Sequence, residues 1–430
     1  MTESDPAAQP VLPPSATHPT VALCGLSAFV SCTMILSVFR PFETMAYNAL
    51  ILIAATAAGI FLPDLFWQKV WQRPSTGLTK KASPGNWPRA LIKFAGQLGA
   101  MALIGALYWL FPEYNAQNAF YQPYWALLVV IVPPWIVLSL PYFYILDQFS
   151  IRPEDSLWHL GKLVTGQWRS LNSAAAWQQL LGWLIKGFFY PLMFVYFCND
   201  LSRILNFRWG SIQGFHDFYD FFYSFFYYVD VGLISMTYLI SLRLTDTHIR
   251  SAEPTMLGWA VALVCYEPFW SLIGRQYLQY GGEGAWQTWM VKAPWLYQVW
   301  GSIILLLVFV YAWATMSFGG RFSNLTHRGI ITSGPYRFMK HPAYFSKNLS
   351  WWLTALPFAF GGSLLMRIKH CAALLMLNGI YFMRAKTEER HLSLDPTYVR
   401  YAAWLDARGL LRGLQKSSIV RRWAKWKMTF

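Results

Sequence analysis

Between residues 321 and 404 stand a histidine, several tyrosines, a set of cations and two adjacent carboxylates, in an order suited to holding a small zwitterion. A polar stretch ends in Gly334, Pro335, Tyr336 and Arg337, followed by Lys340, His341, Pro342 and Tyr344. Pro342 stands where a helix can begin, because its missing N–H costs nothing in a first turn. An apolar run follows, broken by Gly361 and Gly362 and then by Arg367, Lys369 and His370. A second apolar run ends in Arg384, Lys386, Thr387, Glu388 and Glu389, and Tyr344 and Glu388 are equidistant in sequence from Met366 in the break. At about 1.5 Å of rise per residue, two antiparallel helices of similar length would return His341 and Tyr344 to the same membrane face as Glu388 and Glu389. Cations, aromatic rings and carboxylates meeting there suit a ligand that carries both an ammonium and a carboxylate. Taken singly, His341 or the glutamate pair would read as a polar anchor at a helix end. The expectation rests on the hairpin.

The elements that must position these groups are membrane spans. The chain has 430 residues, 55% of them hydrophobic and 13% charged, whereas soluble domains carry roughly 25% charged residues. Mean hydropathy is +0.31. Aromatic content is 18%, with 23 Trp, and such rings favour the membrane–water interface. Apolar stretches long enough for about 30 Å of hydrocarbon lie near 21–40, 46–66, 91–111, 124–147, 180–198, 221–242, 256–274, 297–318, 345–363 and 370–384. The sequence therefore predicts an all-α, polytopic integral membrane protein with about ten transmembrane helices. Residues 1–20, rich in Pro, Ser and Thr and without the basic start of a signal peptide, read as a disordered tail. A multi-span region over 21–295, a C-terminal helical core over 296–412 and a basic tail over 413–430 complete the division. The stretch 152–178 reads as interfacial, and GGEG at 281–284 as a turn, since no strand precedes it. There is no internal repeat and no heptad pattern.

Charge orients the chain. Net charge is +15, dispersed over loops rather than gathered in one basic domain, which argues against a nucleic-acid partner and for contact with anionic membrane lipid. Lys69, Arg73, Lys80, Lys81 and Arg89 crowd one loop; Arg152, Lys162 and Arg169, then Arg243 and Arg250, then Arg321, Arg328, Arg337 and Lys340 mark later ones. With both termini cytoplasmic, as in a bacterial inner membrane, these loops and the tail from Arg384 to Lys427 share one side. Arg203, Arg208, Arg275 and Lys292 fall on the other. Five cysteines with no CxxC spacing read as free thiols, with neither a disulfide framework nor a metal site.

The string GPYRFMKHPAY, followed about forty residues later by RAKTEER and then by TYVRY, resembles the isoprenylcysteine carboxyl methyltransferase family. That family shows a Gly-x-Tyr, a basic-His-Pro-x-Tyr, a helical hairpin, a Glu-Glu pair and a Tyr-x-x-Tyr, and it joins the phospholipid methyltransferases and, more distantly, membrane sterol reductases. The resemblance covers roughly the last quarter of the chain and implies a methyltransferase-like helical core that uses S-adenosyl-L-methionine. It implies that His341, Pro342 and Tyr344 contact the cofactor with Tyr336 and Arg337 nearby. Glu388 or Glu389 would hold the methionine ammonium, while Tyr398 and Tyr401 help to cover it. Arg321 and Asn324 would face the acceptor, and Glu388 joins them as a catalytic candidate. Lys340 departs from the family, where an Arg is usual and offers a bidentate fork that Lys lacks. Arg390 and His391 also depart, standing where relatives are more acidic.

Methyl transfer from a sulfonium requires an aligned nucleophile and a site closed to water; no metal is needed. A carboxylate acceptor needs no base, whereas an amine does, and His341 or a glutamate would serve. The expected partner is a lipophilic or lipid-linked acceptor entering from the bilayer: a lipid headgroup and an isoprenoid-linked carboxylate both fit. Two other readings suit parts of the chain. One is a nicotinamide-dependent reductase of the sterol reductase type. The other is a transporter or flippase with a degenerate methyltransferase motif, using Lys186, Asp230 and Glu267, ionisable groups in apolar runs that face either a chamber or one another. FFYSFFYY at 221–228 reads as packing and interfacial anchoring. Asn324 and Asn348 head chance matches to the glycosylation pattern.

Overall fold

Apolar runs with few charges leave the backbone to satisfy its own hydrogen bonds, and in a bilayer helices are the way to do so. The structure, a computed structural model, describes residues 10–280, 286–359 and 362–410, and it is 72% helical. The helices are α1 (Pro19–Val38), α2 (Met45–Phe66), α3 (Trp87–Leu110), α4 (Gln122–Phe149), α5 (Ser156–Val164), α6 (Ser173–Leu205) and α7 (Phe215–Leu239). Then come α8 (Met256–Leu263), α9 (Arg275–Tyr277), α10 (Trp286–Met290), α11 (Pro294–Met316), α12 (Pro342–Ala355), α13 (Leu364–Leu392) and α14 (Pro396–Arg408). Two-residue strands, β1 (Ser251–Ala252) and β2 (Thr326–His327), pair antiparallel. The turn at 281–284, Gly361, residues 1–9 and the basic tail lie outside the described residues.

Among the described residues, six helices are long and apolar enough to cross a membrane: α1, α2, α3, α4, α6 and α11. The expectation of about ten is not met on that measure, and each shortfall has a cause in the sequence. α7 is interrupted by His216, Asp217 and Asp220 and carries five tyrosines. The stretch 256–274 breaks after eight helical residues and resumes as a five-residue π turn, Trp270–Gly274. α12 has 14 residues, too few for about 30 Å at 1.5 Å each. α13 has 29 residues but includes Arg367, Lys369 and His370 near its start.

The chain forms two compact units. The C-terminal unit takes in residues 1–19, 280–318 and 329–430; the N-terminal unit takes in 20–279 and 319–328. Each unit takes in one segment remote from the rest of it in sequence, and backbone pairing explains both. Residues 13–17, expected to be disordered, form a strap: Ala16 N–H donates to the Ile330 carbonyl at 2.9 Å, Thr332 Oγ1 to Pro13 O at 2.9 Å and Thr17 Oγ1 to Phe318 O at 2.8 Å. Leu12 of the same strap packs on a core of Ile330, Tyr398, Tyr401, Trp404 and Leu405. Conversely, residues 319–328 are held by the β1–β2 ladder and by two buried arginines of the N-terminal unit.

Arg321 belongs to a set of ion pairs near the ends of the N-terminal helices. Arg89 binds Asp147 in a fork, 2.8 and 2.9 Å, and Lys93 and Arg243 share Asp155 at 3.1 and 3.2 Å. Asp246 receives Arg250 at 3.1 Å and Arg73 at 3.5 Å. Arg328 satisfies itself on the carbonyls of Thr247, Thr237, Phe322 and Ile240. The loops that read as positive therefore meet carboxylates from neighbouring helix ends. α5, expected on the membrane surface, instead packs into the unit. Gly161 lies so near α3 that a Cβ there would fall 1.9 Å from the Ile92 carbonyl oxygen.

Candidate functional site

In the C-terminal unit the chain enters the site through Gly334, whose φ of +60° is a left-handed conformation that glycine adopts without a Cβ penalty. A 3-10 turn, Gly334–Arg337, leads to His341, and Pro342 opens α12. α12 ends at Leu356, itself left-handed at φ 42°, where the following Pro357 disfavours further helix. α13 brings the chain back. The two helices differ twofold in length, unlike the symmetric hairpin expected, yet the required ends still meet. His341 Nε2 lies 3.1 Å from Glu389 Oε1, and the Tyr344 hydroxyl donates to Glu388 Oε2 at 3.0 Å.

Helical spacing explains which neighbours join them. Lys386, three residues before Glu389, donates to both of its oxygens at 2.9 Å. The His341 and Tyr344 rings stack with centroids 5.4 Å apart and planes 5° from parallel. Tyr381 meets Tyr344 edge-on at 5.5 Å, and the Arg384 guanidinium lies 5.2 Å from both ring centroids, within cation–π range. Deeper in the hairpin, Asn348 accepts from Asn378, which in turn accepts from the Trp352 indole at 2.7 Å. These groups border a cavity of about 470 Å³ whose wall includes His341, Tyr344, Asn348, Tyr381, Lys386 and Glu389. Its outer wall is apolar, with Phe338, Phe345, Leu349 and Phe382. A volume of this order is ordinary for a small-molecule site.

Electrostatics favour a charged ligand. Burial alone would push the Glu389 carboxyl up; the hydrogen bonds and charges of His341 and Lys386 outweigh it and hold the group at about 2. Tyr398 lies behind the glutamates, and burial, then the charges of Glu389 and Glu388, push its phenol well above the usual range. Its hydroxyl is buried and has no hydrogen-bond partner among the described residues. Tyr401 is buried beside it and donates to the Tyr336 carbonyl at 2.6 Å, tying α14 to the turn before His341. Lys340 is paired with Asp406 of α14 at 2.9 Å.

His341, Tyr344 and Glu389 thus line the cavity, Glu388 holds Tyr344, and Pro342 sets the helix start. Tyr336, Tyr398 and Tyr401 form the packing behind it, and Arg337 is exposed. The two residues expected to face an acceptor belong to the N-terminal unit. Arg321 is 1% exposed, bound to Asp64 at 3.3 Å and near Asp246 at 3.8 Å. Its guanidinium is committed to that unit's interior, where it acts as an anchor. Asn324 is half-buried; it donates its side-chain amide to the Tyr266 hydroxyl at 3.3 Å and its backbone N–H to the Tyr238 hydroxyl at 3.0 Å. Asn348, Asn378, Trp352 and Tyr381 were not singled out for the site from sequence. The signal for them is position: Asn348 and Trp352 follow Tyr344 at four-residue steps on α12, and Asn378 and Tyr381, three apart, share one face of α13.

A helical membrane protein with a hairpin that closes a charged, half-apolar cavity is the class these features define. Within it, residues 296–394 match the Isoprenylcysteine carboxyl methyltransferase (ICMT) family. No curated protein and no solved structure matches the chain.

Proposed function

We propose that this protein transfers a methyl group from S-adenosyl-L-methionine to an amphiphilic acceptor that reaches the site from the bilayer. The observation that carries this reading is the convergence of His341, Tyr344, Lys386 and Glu389 on one cavity, with Glu388 bound to the Tyr344 hydroxyl, within the residues that match the family. The residues fit such a cofactor. Glu388 and Glu389 supply carboxylates for an ammonium, and Lys386 and Arg384 supply cations for a carboxylate. The unpartnered Tyr398 hydroxyl supplies one more donor beside the glutamates. When bound, the cofactor supplies an electrophilic methyl on a sulfonium.

This chain's own residues then have three tasks. The stacked His341 and Tyr344 rings fix one wall and offer π faces to a cation. The Asn348–Asn378–Trp352 chain keeps the hairpin in register, so that the glutamates stay opposite His341. The apolar wall of Phe338, Phe345 and Phe382 excludes water and suits the tail of a lipophilic acceptor. A carboxylate acceptor would need only alignment; an amine would give its proton to His341, whose Nε2 already faces Glu389.

Calorimetry on the purified full-length protein tests the assignment. S-adenosyl-L-methionine should bind saturably and NADPH should not. His341→Ala and Glu389→Gln should each weaken the cofactor by about tenfold or more, the loss expected of one charge-assisted contact. Saturable NADPH binding without cofactor binding, or variants indistinguishable from the parent, would overturn the proposal.

A further inference from the structure

A second cavity, of about 390 Å³, opens between α6 and α7 in the N-terminal unit, outside the residues that match the family. Tyr196, Asp200 and Arg203 of α6 line it, at i, i+4 and i+7 on one helix face; Tyr223 and Tyr227 of α7 stand opposite. Elsewhere these two helices are tightly filled. Phe194, Phe197, Tyr228 and Met236 are 0% exposed, so the gap is local and its lining is distinctive.

The aromatic run of α7 explains how the lining arises. Tyr219, Tyr223 and Tyr227 recur every four residues and form one ladder, with ring centroids 5.6 and 5.2 Å apart. The phenylalanines form others, Phe218 against Phe222 at 4.5 Å and Phe221 against Phe225 at 5.9 Å. Tyr223 and Tyr227 of the tyrosine ladder present ring faces and hydroxyls to the cavity, whereas Tyr228 packs away from it on Phe29.

Two opposite charges complete the lining. Asp200 and Arg203 touch at 3.4 Å, but Arg203 is 66% exposed. Such a contact contributes little, and a ligand bearing both charges can replace it. Ionisable groups between apolar helices are costly and face a cavity or a partner. Tyrosine faces attract alkylammonium groups, more strongly where water is excluded, and a neighbouring carboxylate adds to that attraction. A guanidinium one turn away matches a phosphate, which it can grip through two parallel N–H groups.

We propose that this cavity binds a phospho-alkylammonium zwitterion. The ammonium sits among Tyr196, Tyr223, Tyr227 and Asp200, and the phosphate sits on Arg203. The source is a phospholipid headgroup or its soluble counterpart, and the chemistry of recognition is the same for both. This proposal is independent of methyl transfer.

Calorimetry on the full-length protein distinguishes the sources with three probes: dihexanoylphosphatidylcholine, free phosphocholine, and dihexanoylphosphatidylglycerol, which keeps the phosphate and lacks the ammonium. The choline lipid should bind about tenfold or more tightly than the glycerol lipid. Asp200→Asn and Tyr223→Leu should erase most of that preference, while Tyr223→Phe, which keeps the ring face, should hold it within about threefold. An unchanged thermal unfolding midpoint in Asp200→Asn separates lost recognition from lost folding. Binding of the choline lipid alone assigns the site to the bilayer; comparable binding of free phosphocholine assigns it to a soluble zwitterion. Equal affinity for the choline and glycerol lipids, or an Asp200→Asn protein that binds like the parent, overturns the proposal.

Discussion

At the scale of single residues, the site is governed by Glu389. Its carboxyl lies at about 2 in the folded protein against an ordinary 4.5, so folding favours the ionised form. That stabilisation is fully present above about pH 4.5 and is lost as pH falls through about 2. Glu389→Gln should therefore lower stability by about 1–2 kcal/mol at neutral pH. Thermal unfolding of both proteins across that acid window should show the gap closing; a gap that stays constant would refute the role given to His341 and Lys386. His341, Tyr344, Glu388 and Glu389 were legible in the sequence because their residue types are unusual beside apolar runs and recur in a known order. Asn348 and Asn378 were not, since an amide pair between helices has meaning only once the register of the hairpin is fixed. The burial of Arg321 was not legible either: its carboxylate partner, Asp64, lies 257 positions upstream, a distance no local pattern reveals.

At the scale of elements, six spans could be read from hydropathy because each is a continuous apolar run of 20 residues or more. α5 could not. Its Trp, Leu and Lys suggest a surface helix, and only the bare Cα of Gly161 reveals that it is pressed against α3. Gly161→Ala would drive a methyl into the Ile92 carbonyl, and overpacking of this kind costs about 1–3 kcal/mol. The unfolding midpoint of that variant should fall clearly; no change would mean that α3 and α5 are free to separate. The same logic explains α12 and α13. Their unequal lengths do not disturb the meeting of His341 with Glu389, because the left-handed turn at Leu356 ends the first helix early and the longer α13 carries the chain back to it.

At the scale of the molecule, each compact unit takes in a segment remote from the rest of it in sequence, which no local pattern reveals. Strap residues 13–17 and loop residues 319–328 each belong with a partner far away in sequence. Arg321 fastens the second of these. Arg321→Met would strand the buried Asp64 carboxylate and should cost about 3–5 kcal/mol, and adding Asp64→Asn should recover much of it. A double variant no more stable than the single one would remove the ion pair from the account. The strap and the short ladder also impose an arithmetic on the chain. If partners in a hydrogen bond share one surface of the bilayer, residues 16 and 330 are on one side, as are 252 and 326, and the chain between each pair makes an even number of passages. On that premise the six long apolar helices do not suffice, because five precede the ladder and one lies within it. α7 and the broken stretch 256–277, apolar runs that fall short as helices, would then each have to make a passage.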